Sequence, residues 1–179
     1  MISLGTLFWI FIIIFALIGA IRGSAKEILV TFSIIMAIFT ITVLEQFVPA
    51  MQTYLSTNPI SSTVTMRSIV LTALVFFGYQ TPNIPRLAQN DRFARDRLQD
   101  VLLGLILGGV NGYLIFGSFW HFLHIANYPF TIVIPPIAGT PAGDAALAMV
   151  SYLPPNWLVA PVIYYSVAVA FIFVLVVFI

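Results

Sequence analysis

What most constrains this chain is a set of long apolar runs, at residues 4–21, 28–48, 64–79, 101–125 and 157–179, parted by nearly all of its charges. A bilayer core of about 30 Å is crossed by about 20 apolar residues in a helix, and each run approaches that length. β-branched residues are plentiful in the runs. A segment facing lipid must nevertheless satisfy its own backbone hydrogen bonds, which selects helix whatever the propensity in water. A membrane β-barrel would alternate strictly between apolar and polar residues, and the runs do not. The expected fold is all-α, a polytopic transmembrane helix bundle of about five spans. Composition excludes the alternatives. Of all residues 61% are hydrophobic and 7% charged, against about 25% charged in a soluble domain. The chain is too apolar for disorder, and it offers no basic surface of the kind that binds nucleic acid. It has no cysteine, which removes thiolate metal sites, cysteine nucleophiles and disulfides.

Charge placement predicts the orientation. Arg22 and Lys26 fall in the first connection, and Arg86, Arg92, Arg95 and Arg97 in the third, so six of the seven basic residues share one side of a five-span bundle. By the positive-inside rule that side is cytoplasmic, with the N-terminus outside and the C-terminus inside. The first run lacks a positive segment before it, so it reads as a retained helix rather than a secretory signal. The third run is short and carries Arg67 in its first turn, which calls for tilt or local thinning of the bilayer. The last run stops at Ile179 without a polar flank, so that end is expected either to continue or to be covered by something else.

The connections carry distinct signals. The first, Arg22-Gly23-Ser24-Ala25-Lys26-Glu27, is so short that helices one and two are expected to be antiparallel neighbours, with Gly23 supplying the turn. The second, with Pro49, Asn58, Pro59 and a Ser/Thr cluster, reads as an external loop. In the third, Asn90 or Asp91 is placed to cap a short basic helix whose arginines would lie on anionic inner-leaflet lipids. Its plainer reading is the positive-inside signal alone. The fourth, 126–156, is long, apolar and rich in proline; Asp144 is expected to open a short helix ending near Leu153. A loop of this kind either packs on its own helices or receives another protein.

Polar groups within a span are candidates for function. Glu45 and Arg67 lie at similar depth on consecutive helices, and either form an ion pair or snorkel independently. His121 and His124 share a helix face near the outer interface. A small residue four positions before His121, Gly117, is similar to the motif that ligates bacteriochlorophyll in light-harvesting polypeptides. A metal site lacks further ligands nearby, and ordinary interfacial belt residues are the plainer reading. Span four carries Gly104, Gly108, Gly109, Gly112 and Gly117, with overlapping G-x-x-x-G spacings that let a second helix approach closely, either within the bundle or between subunits. No nucleotide-binding, serine-hydrolase or zinc-protease motif occurs, so no enzyme and no cofactor is expected.

Two stretches resemble one family. Gly19-x-x-Arg22-Gly23-x-x-Lys26-Glu27 is similar to the G-x-x-R-G-x-x-R/K-E signature of the bacterial colicin V production protein family. Asp100-x-x-Leu103-Gly104-x-x-x-Gly108-x-x-Asn111-Gly112 is similar to its D-x-x-L-G-x-x-x-G-x-x-R-G stretch, with Asn111 where the family has arginine. The resemblance covers 1–125 as a four-helix core, leaving 126–179 as an outer proline-rich loop and fifth helix. It implies a bacterial inner-membrane protein concerned with toxin production or export, or with envelope homeostasis, and an architectural role for the motif residues. Asp100 near a helix N-terminus is favourable by about 0.3–1 kcal/mol and is expected to reach Arg22 or Lys26. Two other readings are an accessory subunit of a large energy-converting or photosynthetic pigment-protein complex, and a small-solute channel or transporter. The expected partners are lipid, other membrane proteins or a second copy of the chain.

Overall fold

The computed structural model describes residues 3–80 and 97–178, which are all-helical with no strand among them. Helix α1 (Leu4–Arg22) is capped by Ser3, whose hydroxyl accepts from Thr6 N at 3.1 Å. Helix α2 (Ser24–Phe47) follows after one residue, Gly23, at φ +86°, a conformation that favours glycine. The expected six-residue turn is thus a single residue, and Ser24 to Glu27 form the first turn of α2. Although joined to α2, α1 packs chiefly along α5 (Arg97–Ile125) and only slightly against α2, which corrects the expectation of a tight α1–α2 pair.

The second connection contains a helix, α3 (Pro49–Thr57), where a loop was expected. Pro49 sits at the first helical position, where its missing N–H leaves no backbone bond unmade. Helix α4 (Ile60–Tyr79) begins four residues before the expected span, and α5 also starts earlier than expected. Residues 81–96, with the expected basic helix and Arg86, Arg92 and Arg95, lie outside the described residues.

In the fourth connection, α6 (Pro141–Val150) starts at Pro141, before the expected Asp144, because the Thr140 hydroxyl caps it, accepting from Gly143 N at 3.1 Å. Asp144 takes part from the first turn, accepting from Gly139 N at 2.9 Å. Pro154 opens a further turn, α7 (Pro154–Trp157), and α8 (Val162–Phe178) follows a bend of 59°. The last long helix therefore begins beyond Pro161 rather than at Trp157. Among the described residues four helices are long and apolar enough to cross a membrane, or up to five if the bent pair counts as a span.

Side-chain meetings fix the directions. Gly19 meets Gly104 while Phe8 meets Trp120, so α1 and α5 are antiparallel. Arg67 meets Glu45 while Gly78 meets Val30, so α4 is antiparallel to α2. Phe173 lies on Phe32 and Tyr164 on Phe39, so α8 descends alongside α2. One core joins Val30, Ile34 and Ile41 of α2 to Leu71 of α4, Leu114 and Phe122 of α5, and Ile163 of α8. A second, smaller core joins Phe8 and Trp120 to Ala146, Val150 and Leu153, so the proline-rich segment packs on α1 and α5. Because lipid is as apolar as these side chains, close van der Waals fit and polar contacts, rather than water exclusion, hold such helices together.

Candidate functional site

At the Gly23 end the two motif stretches meet. A Cβ on Gly19 would collide with the Gly104 carbonyl oxygen and come within 2.7 Å of Gly108 Cα. One on Gly112 would come within 2.9 Å of Phe15 Cβ. The glycine stripe of α5 is therefore occupied by α1 of the same chain. Close approach of the two backbones sets the spacing for everything polar beside it.

Asp100 sits across this contact. Gly23 has no side chain with which to cap α2. Asp100 Oδ1 does so from another helix, accepting from Ser24 N at 2.9 Å and from the Ser24 hydroxyl at 2.7 Å. Its charge thus faces the positive end of the α2 dipole. The expected pairing of Asp100 with Arg22 or Lys26 is replaced by this cap. Lys26 and Leu103 are half-buried, and Arg97 is exposed at the start of α5.

Arg22 turns to Glu27, with Nε 2.9 Å from Oε1. Its guanidinium lies 4.4 Å from the centre of the Tyr79 ring and donates to the Tyr79 carbonyl at 3.4 Å, tying the α1–α2 junction to the end of α4. Glu27 is fully buried, and its second oxygen accepts from Asn111 Nδ2 at 2.8 Å. The same nitrogen donates to the Glu27 carbonyl at 3.0 Å. Two acceptors on that side fix the amide orientation, leaving Asn111 Oδ1 to accept from the Thr31 hydroxyl at 2.7 Å. With a neutral amide at position 111, Arg22 and Glu27 balance one another. Ser24, Thr31 and Tyr79 belong to this cluster and were not singled out from the sequence. Thr31 carries a signal, since it lies one turn beyond Glu27 on the same face. Tyr79 has none, because its contact with Arg22 spans 57 positions.

At the opposite end the structure brings Glu45 and Arg67 together in a two-pronged pair, Nε to Oε1 at 2.6 Å and Nη2 to Oε2 at 2.9 Å. Arg67 also lies 5.7 Å from the Phe122 ring centre. His121 and His124 do not converge on one point. His121 Nε2 is 3.0 Å from Asn156 Oδ1, whose Nδ2 donates to the Val150 carbonyl at 2.6 Å. Asn156 therefore accepts, and His121 carries its proton on Nε2. The space left by Gly117 is filled by Pro154, 2.5 Å from where a Cβ would stand. Both features that resembled a pigment-binding motif are thus engaged in docking α7 on α5. Tyr128 accepts from Trp120 Nε1 at 3.1 Å and faces His124 Nδ1 at 3.2 Å. Burial holds the Tyr128 phenol above its ordinary pKa. Among the described residues no three His, Cys, Asp or Glu side chains are grouped to hold a metal ion.

No protein-family model, curated protein or solved structure matches the chain.

Proposed function

We propose that this chain is a non-enzymatic multi-pass protein of a bacterial inner membrane, of the colicin V production type, acting through helix packing and contacts with other membrane proteins or with itself. One observation carries the reading. The residues that resemble the family's two motifs, far apart in sequence, contact one another: Gly19 with Gly104 and Gly108, Gly23 and Ser24 with Asp100, Glu27 with Asn111. Their chemistry is that of a joint. Asp100 caps α2, Asn111 holds the Glu27 carboxylate, and Arg22 balances its charge.

An accessory role in a larger membrane complex is favoured by a different feature. Ile132 and Ile137, on the loop between α5 and α6, are 92% and 63% exposed, and an apolar loop of this kind suits a protein contact. Isolation of the tagged chain from native membranes in mild detergent, with mass spectrometry of what remains bound, separates the readings. The colicin V production type predicts self-association or a small set of envelope partners. A stoichiometric set of large subunits would instead support the accessory role, and solute flux through liposomes holding the chain alone would overturn both.

A further inference from the structure

Serine and threonine inside a membrane helix ordinarily return their hydroxyl to the carbonyl one turn back, because lipid offers no other partner. Ser33, Thr40 and Thr42 of α2, Thr65 of α4, Ser118 of α5 and Ser166 of α8 all do so. Ser68 and Thr72 of α4 lie deeper than Thr65 and have such carbonyls within reach, yet they make no hydrogen bond among the described residues. Both line the same groove, about 590 Å³ in volume, open at the surface of the bundle and walled by Phe76, Phe77 and Phe130. Toward the start of α4 it continues, past Thr65, Ile69 and Phe130, into a second hollow of about 400 Å³ edged by Tyr54, Ser61 and Ser62. No charged side chain lines either one.

We propose that this groove binds the ring of a quinone-type lipid, a flat carbonyl-bearing ring with an apolar tail. The two unspent donors call for acceptors, and they stand one helical turn apart, about 6 Å along the axis, a separation suited to carbonyls at opposite ends of a six-membered ring. Aromatic walls suit a flat ring. A glycerophospholipid fits less well. Its ester carbonyls stay near the interface, whereas Thr72 lies about 18 Å along α4 from Ile60, and an anionic headgroup finds no cation here. A second copy of α4 fits less well too, because exposed Phe76 and Phe77 rim the groove and obstruct a close helix approach.

The test uses the full chain in neutral-lipid nanodiscs and a photoreactive short-chain benzoquinone, with labelled peptides mapped by mass spectrometry. Label is expected on α4 and at Phe130, displaced by unlabelled decyl-benzoquinone. It should fall about five- to tenfold in a Ser68→Ala, Thr72→Val double variant, the loss of two modest intramembrane hydrogen bonds. Because neither hydroxyl holds the fold, that variant should unfold at the same temperature as the parent. Label spread evenly over α1 and α8, label unchanged in the variant, or stronger competition by a phosphatidylcholine would overturn the proposal. So would disulfide cross-linking of two chains through Ile69→Cys, which reports cleanly because the chain has no other cysteine.

Discussion

The two ends of the bundle each hold a carboxylate against an arginine, but in different surroundings. At the Gly23 end Glu27 is fully buried, and its oxygens are met by Arg22 and Asn111 beside a glycine contact that brings two backbones together. At the other end the Arg67 and Glu45 side chains are 18% and 20% exposed. Beside the glycine contact Glu27 and Asn111 are fully buried while Arg22 keeps 21% exposure, and burial of the carboxylate and the amide calls for partners on both. At the second site both members of the pair are partly exposed, although their contact is two-pronged.

The sharpest way to break this contrast is to force the glycine contact apart. Gly104→Val places atoms inside the Gly19 backbone, where no side chain can move aside. We expect a loss of more than about 3 kcal/mol and little monodisperse protein on size exclusion in detergent. Next in size is Glu27→Ala, which strands Arg22 and Asn111 and should cost about 3–5 kcal/mol in thermal unfolding. The Arg22→Met, Glu27→Met double variant should recover part of that loss. If it does not, the cluster is held by Asn111 and Thr31 more than by charge. At the far end Arg67→Met should cost about 1 kcal/mol, and a double-mutant cycle with Glu45→Gln should give a coupling of similar size. A coupling as large as that at Glu27 would erase the distinction between the ends. The smallest effect is expected at Gly109, also on α5. A Cβ there meets Ala16 Cβ at an ordinary 3.6 Å, so Gly109→Ala should stabilise by about 0.5 kcal/mol through helix propensity alone.

The spans were legible because hydropathy reports them without any need for tertiary information. Their edges were less so. Ser61, Ser62 and Thr63 read as loop, yet Thr65 returns its hydroxyl to Ser61 within the helix, and α4 begins at Ile60. Pro49 read as part of a loop, although at a helix start it costs no bond. The meeting of Glu45 and Arg67 could be anticipated, since consecutive antiparallel helices place equal depths side by side. The partner of Asp100 could not. It depends on which helix α1 chooses, and backbone fit against the α5 glycines, rather than the short turn to α2, decides that.

The cap that Asp100 places on α2 also has a consequence for biogenesis. Ser24 leaves the ribosome 76 positions ahead of Asp100, and Glu27 leaves 84 positions ahead of Asn111. A nascent chain therefore inserts its first helices while the start of α2 lacks its acceptor and Glu27 lacks one of its two side-chain partners. Chains arrested before α5 keep that defect, and arrival of α5 is the step that ends it.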